Sequence, residues 1–387
     1  MESALKYLSF SSRPRAAARS TGLPILSLLA LTLAASGCAS SDVEIAEAQP
    51  SEAVLADAAA ASDAAQPDLA NADAADAAAD FEAAADADAP TETATASTSG
   101  RKYNAGEDPE FAARMGWPVQ GPAPLAGALL PQNRIVCYYG NPNSTRMGAL
   151  GEFPKDDMLR RLRGEVDKWT RADPQTPAKP CLHMVAVVAQ DQPGTTGKYR
   201  SIMLDRDVQK VYDWAREVDG IFIVDIQVGT DDIRNILPRF EWILKNPDVH
   251  VGVDPEFYMK GGQKPGTKIG TMDAADINYI TDYLAKLVRE HDLPPKTLVV
   301  HRFTRPMVTN SKQIKLRPEV QIVMHMDGWG AAWLKRDSYR DYVVREPVQF
   351  TGFKIFYKHD QSQPGWSLMQ PADLLKLEPR PFYIQYQ

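Results

Sequence analysis

Residues Val249-His250-Val251-Gly252-Val253-Asp254-Pro255-Glu256-Phe257 decide how the rest of the chain is read. Val249–Val253 is a short run rich in β-branched residues. A strand that stays apolar along its whole length is buried on both faces, as in a parallel sheet covered by helices. Asp254 and Glu256 stand two apart on extended chain, so their carboxyls project the same way. Two crowded carboxyls cannot both ionise cheaply, so one keeps its proton toward neutral pH.

Seven more runs of this kind flank that stretch. They are Ile135–Tyr139, Leu182–Ala189, Ile221–Ile226, Thr297–His301, Val320–Met326, Phe350–Phe356 and Phe382–Gln385. Amphipathic segments predict helices between them at Lys155–Trp169, Asp207–Glu217, Asp231–Lys245, Ala274–His291 and Arg336–Val344. Asp231 and Asp273 supply capping side chains for two of these. Eight strand–helix units in this length predict a (β/α)8 TIM-like barrel, thin in helix at connections five and seven. A doubly wound open sheet is the rival, but no Gly-rich fingerprint follows the first strand.

The 387 residues divide into three parts. Lys6, Arg13, Arg15 and Arg19 precede an apolar run from Leu23 to Ala35, closed by Ser36-Gly37-Cys38. This pattern predicts a secretory signal over 1–37. The ending Ala35-Ser36-Gly37-Cys38 resembles the bacterial lipobox, which implies a lipidated (palmitate-bearing) Cys38. Ala39 follows in place of an inner-membrane retention Asp, so the expected location is the cell envelope, on the outer membrane facing the periplasm or cell surface. Residues 41–100 hold 14 acidic residues, 24 alanines and no Lys or Arg, so 38–100 is expected to be a lipid-anchored, disordered tether. As a coil it would span about 45 Å root-mean-square.

Residues 101–387 form the expected barrel domain, with 39 basic and 35 acidic residues. So mild and mixed a charge does not predict nucleic-acid binding. A monomer is expected. Of the three cysteines, Cys137 and Cys181 fall in or beside neighbouring strands, and the sequence leaves both their paired and free states open.

Active sites of such barrels collect at the C-terminal ends of the strands. There the chain places Tyr138, Tyr139, Asp225, Gln227, Asp254, Glu256, His301, Arg302, His325, Asp327, Trp329, Lys354 and Tyr357. Asp-x-Glu closing strand four and Met-x-x-Asp closing strand six resemble the chitinase and endo-N-acetylglucosaminidase family of glycoside hydrolases. That resemblance implies Glu256 as proton donor, Asp254 as the residue positioning a substrate acetamide, and Asp327 as helper. The sequence departs from that family where Val249 and Gly252 replace two further Asp, and where Asp225-Ile226-Gln227-Val228-Gly229 replaces Ser-x-Gly-Gly. Residues 130–387 also resemble uncharacterised bacterial lipoproteins that share Asp-Pro-Glu-Phe and Met-Asp-Gly-Trp-Gly, which implies a fold and no activity.

The resulting expectation is a lipid-anchored envelope barrel acting as a glycoside hydrolase on a carbohydrate such as wall glycan. Glu256, Asp254 and Asp327 would be catalytic, and the other ten strand-end residues would bind substrate. No cofactor and no metal site are expected in this reading. Two alternatives stand beside it. One is a catalytically silent barrel that binds glycan or peptide. The other is a metal-dependent hydrolase using Asp254, Glu256, His301, His325 and Asp327, all of which are ligand types for a divalent ion. Double displacement through a strand-seven carboxylate is disfavoured, because Phe353-Lys354-Ile355-Phe356-Tyr357-Lys358 contains none.

Overall fold

A computed structural model describes residues 102–387. The expected signal, the tether and Cys38 lie outside the described residues. Among the described residues no helix is long and apolar enough to cross a membrane.

Eight parallel strands close on themselves: β1 (Arg134–Gly140), β2 (Ala178–Ala189), β3 (Ile221–Ile226), β4 (Val249–Val253), β5 (Lys296–Arg302), β6 (Val320–Met326), β7 (Phe350–Ile355) and β8 (Tyr383–Tyr386). Each pairs with its sequence neighbour, and β1 pairs with both β2 and β8, so the barrel has no free edge. This is the (β/α)8 architecture expected from the runs. A short antiparallel strand, Arg200–Ile202, extends β2 at its far end. Outside the barrel, Met272–Asp273 pairs in parallel with Val308–Thr309.

Four longer helices cover the wall: α1 (Lys155–Ala172), α2 (Asp205–Arg216), α3 (Ala274–Glu290) and α4 (Ala332–Ser338). In α1, Met158, Leu159, Leu162 and Trp169 fall on one face and are buried. Asp156 and Asp157 sit in its first turn and Arg171 in its last, matching the helix dipole. Asp273 and Asp276 form a reciprocal capping box that starts α3.

Two expected helices differ in detail. Asp231–Lys245 is not continuous: it breaks into Ile233–Ile236, a tight turn at Leu237–Phe240, and Glu241–Leu244. Pro238 has no N–H for the ladder and its ring crowds the preceding turn, so the helix is interrupted there. The segment expected at Arg336–Val344 begins earlier, at Ala332, and widens to a π-helix over Tyr339–Val344. Connection five contains short turns and the strand Val308–Thr309, and connection seven a short turn and the four-residue helix Pro371–Leu374.

The barrel interior has two storeys. The lower one is largely apolar: Leu130, Ile135, Cys137, Cys181, Ile221, Ile223, Val299 and Val323 are buried together, with His250 and Thr297 buried at the same level. Cys137 and Cys181 stand opposite each other in the β1–β2 register and form a disulfide, which resolves the open question about these thiols. Gln321 closes the floor, accepting from the backbone N–H groups of Leu129 and Leu130 (both 3.0 Å) and donating to Leu130 O at 2.6 Å. The upper storey is polar.

Candidate active site at the barrel mouth

Alternation along each strand sorts the strand-end residues into two groups. Tyr139 points into the barrel and Tyr138, one residue earlier, points out. The Tyr138 hydroxyl lies 3.1 Å from that of Tyr357, which donates to Glu165 on α1 at 3.2 Å. Both tyrosines therefore pack between wall and helix, away from the mouth. Arg302 behaves likewise. It is fully buried outside the wall, where it reaches Glu346 at 2.6 Å and donates to the carbonyls of Thr304, Arg305 and Val308. These three residues do not join the cluster that the sequence grouped them with.

The remaining candidates converge. His301 Nδ1 lies 2.6 Å from Asp327 Oδ2, and Lys354 Nζ lies 2.7 Å from Asp327 Oδ1. Lys354 also stands 4.1 Å over the Tyr139 ring, whose hydroxyl donates to Asp225 Oδ2 at 3.3 Å. Asp225 Oδ1 faces His301 Nε2 at 3.7 Å and His183 Nε2 at 3.2 Å. Gln227 accepts from Ala189 N–H at 2.9 Å and turns its amide toward Asp254 Oδ2 at 3.5 Å. Asp254 caps the short turn Pro255–Phe257 by accepting from Glu256 N–H at 3.1 Å. Glu256 is half-buried, whereas Asp225, His301 and His325 are fully buried. Trp329 lies at the rim with its ring 5.6 Å from that of His359, and Trp333 on α4 is 65% exposed.

Burial and neighbouring charge divide the carboxyls. Burial pushes Asp254 up to about 7, helped by the charges of Asp327 and Asp225. Burial pushes Glu256 well above the ordinary carboxyl range, with Asp254 and Asp327 adding to the shift. Burial also opposes ionisation of Asp327 and Asp225. Lys354 and His301 outweigh it at Asp327, and His301 and His183 outweigh it at Asp225, so both carboxyls are held below their usual range. Burial likewise disfavours a charged His301, but Asp327 and Asp225 raise it above the ordinary imidazole value. The mouth thus sets two carboxyls biased toward the anion, Asp327 and Asp225, beside two biased toward the protonated form, Glu256 and Asp254.

His183, Tyr383 and Gln385 belong to this cluster although they were not among the strand-end candidates. His183 Nδ1 faces the Tyr383 hydroxyl at 2.6 Å, and Gln385 Nε2 donates to that hydroxyl at 2.8 Å. They sit inside apolar runs, and the available signal is alternation: Cys181, His183 and Val185 share one face, as do Tyr383 and Gln385. Of the five residues proposed as metal ligands, His301, His325 and Asp327 bring ligand atoms within 4.8 Å of one another; Asp254 and Glu256 are not in that group. His183 and Asp225 join His301 in a second such group.

No family model matches the chain, and no curated protein matches it by sequence. Among solved structures it is similar to one described as "Cellulase Cel5C_n", with 12% identity, 69% of this chain and 76% of that chain covered, and a TM-score of 0.36. The barrel assignment rests on the strand pairing alone.

Proposed function

We propose that this barrel is a glycoside hydrolase of the cell envelope, tethered through a lipidated Cys38 and acting on a carbohydrate such as wall glycan. The observation that carries this reading is the convergence of Asp254, Glu256, Asp327 and Asp225 at the end where barrel enzymes work, with Asp327 paired to Lys354 and His301. Burial biases Glu256 and Asp254 toward the protonated form, and the neighbouring cations bias Asp327 and Asp225 toward the anion. Glycosidic cleavage needs both forms: an acid to protonate the leaving oxygen and a carboxylate to stabilise the positive charge that develops at the sugar.

In this reading Glu256, at the edge of the cluster, hands its proton to the departing oxygen as the C–O bond breaks. Asp254, held by Glu256 N–H and Gln227, maintains the crowding that keeps that proton in place and faces the substrate. Asp327 remains anionic between Lys354 and His301. Both its oxygens are engaged, so it suits electrostatic support better than covalent attack; water is the natural nucleophile, and its proton passes to the Glu256 carboxylate left by the first step, which restores the acid. Trp329 and the exposed Trp333 offer aromatic faces on which a sugar ring can stack.

The test compares Glu256→Gln with wild type on a panel of envelope and plant-type glycans. Turnover by wild type that the variant loses supports the assignment. Equal turnover in both removes Glu256 from the acid role. Glycan binding without turnover in either identifies a silent binding barrel instead.

A further inference from the structure

Below the mouth, three ligand atoms meet in a space that a single glycine keeps open. His183 on β2, Asp225 on β3 and His301 on β5 are all fully buried. A ligand atom from each lies within 4.8 Å of the other two, and Asp225 Oδ1 stands 3.2 Å from His183 Nε2 and 3.7 Å from His301 Nε2. His183 Nε2 and Asp225 Oδ1 stand at ion-pair distance, and none of the three atoms has a well-aligned hydrogen bond. Buried polar atoms in a native structure are normally partnered with good geometry, and three that converge on one point without an aligned hydrogen bond suit a partner common to all. We propose that this is a binding site for a divalent transition ion of the zinc class, with His183, Asp225 and His301 as its protein ligands.

Three features support it independently. Metal–ligand bonds of about 2.0–2.1 Å in a tetrahedron place ligand atoms about 3.3–3.4 Å apart, which the separations of 3.2 and 3.7 Å to Asp225 Oδ1 bracket. Each ligand is also fixed from behind, as metal-binding histidines and carboxylates generally are. His183 Nδ1 faces the Tyr383 hydroxyl at 2.6 Å, His301 Nδ1 faces Asp327 at 2.6 Å, and Asp225 Oδ2 accepts from Tyr139. Finally, Gly252 on β4 stands opposite Asp225 in register, and a Cβ there would lie 2.4 Å from Asp225 Oδ1 and 2.5 Å from His183 Nε2. Any other residue would fill the site.

The donor set selects the ion class. Two imidazole nitrogens and one carboxylate oxygen suit zinc or a neighbouring transition metal, whereas calcium wants six to eight oxygens. Three protein ligands leave a fourth position for water or a substrate oxygen. The site does not depend on what the mouth does to a glycan.

The experiment uses the untagged full chain, stripped with chelator and dialysed against Zn(II) or Co(II). The expected result is one ion per chain by elemental analysis and the visible absorption of four-coordinate Co(II). Asp225→Asn and His183→Gln should bind about a hundredfold more weakly or worse, and Gly252→Ala should be impaired too, with circular dichroism reporting the fold. Glu256→Gln should load normally, which separates this site from the acid assignment. Should the ligand variants fail to fold, wild type decides alone: Zn(II) raises its Tm where Mg(II) does not, and Co(II) develops its absorption. Absence of both, uptake well below one equivalent, or equal retention by Asp225→Asn and His183→Gln overturns the proposal.

Discussion

The lower and upper storeys of the barrel are built from the same strands and do opposite things. β1 contributes Ile135 and Cys137 below and Tyr139 above; β2 contributes Cys181 and then His183; β3 contributes Ile221 and Ile223 and then Asp225; β6 contributes Val323 and then His325. Two residues along one strand, about 7 Å, separate a disulfide-linked, largely apolar floor from a buried charge network. The floor is held mainly by apolar contact and the disulfide, with Tyr383 linking it upward to His183 and Gln385. The mouth needs the floor, because polar groups held this far from water keep their geometry only on a rigid support. Substitutions in the two storeys should therefore separate into loss of activity and loss of stability.

The largest effect belongs to the mouth. Glu256→Gln keeps the shape of the side chain and removes its proton, so turnover should fall by roughly a hundred- to ten-thousandfold, the range for loss of general acid catalysis. Its Tm should move little. A comparable loss of Tm would mean that Glu256 is part of the support, and the division between storeys would fail at that residue.

The floor answers next. Replacing both Cys137 and Cys181 with alanine removes a link across 44 residues, which should lower stability by about 4 kcal/mol on the loop-closure account. Denaturant unfolding measures this. Below the new transition, turnover per folded molecule should match wild type. A drop in turnover without a drop in stability would show that the floor sets the mouth's geometry more directly than its apolar packing implies.

Asp254 gives a smaller, pH-dependent signature. Its carboxyl ionises near 4 in the unfolded chain and at about 7 when folded, so the folded state binds the extra proton between those values. Stability contributed by this group is present below about pH 4 and is lost as pH rises toward 7, with a slope of at most about 1.4 kcal/mol per pH unit. Asp254→Asn should flatten that part of the Tm–pH curve. It should also draw the alkaline limb of turnover to lower pH, since the Asp254 charge is one cause of the raised Glu256. An unchanged Tm–pH curve would place Asp254 in water rather than in the network.

The barrel was legible because strands buried on both faces leave uninterrupted apolar runs, and all eight were visible. The site was legible in position and only partly in membership. His301 and Arg302 are adjacent, equally polar and equally buried, yet one lines the mouth and the other binds Glu346 behind the wall. A list of polar strand ends does not distinguish them, because the strand's phase relative to the barrel axis is set by its neighbours. Conversely, His183 looks like an interruption in an apolar run until Cys181, two residues before it, is known to face inward.

Tyr138 and Tyr139 make that contrast testable at its finest grain, and the expected effects are the smallest. Tyr138→Phe removes the contact with the Tyr357 hydroxyl outside the wall, for about 0.5–1.5 kcal/mol of stability and no change in turnover. Tyr139→Phe removes the hydrogen bond to Asp225 Oδ2 inside it. Deleting that donor should weaken binding at the His183–Asp225–His301 site and lower turnover, while the change in stability stays of the same order. The pair of variants, read by Tm and by metal titration, isolates the direction of a side chain from its chemistry. Identical behaviour in both would mean that the side of the wall a residue faces does not decide its role, and the two-storey account of this barrel would have to be abandoned.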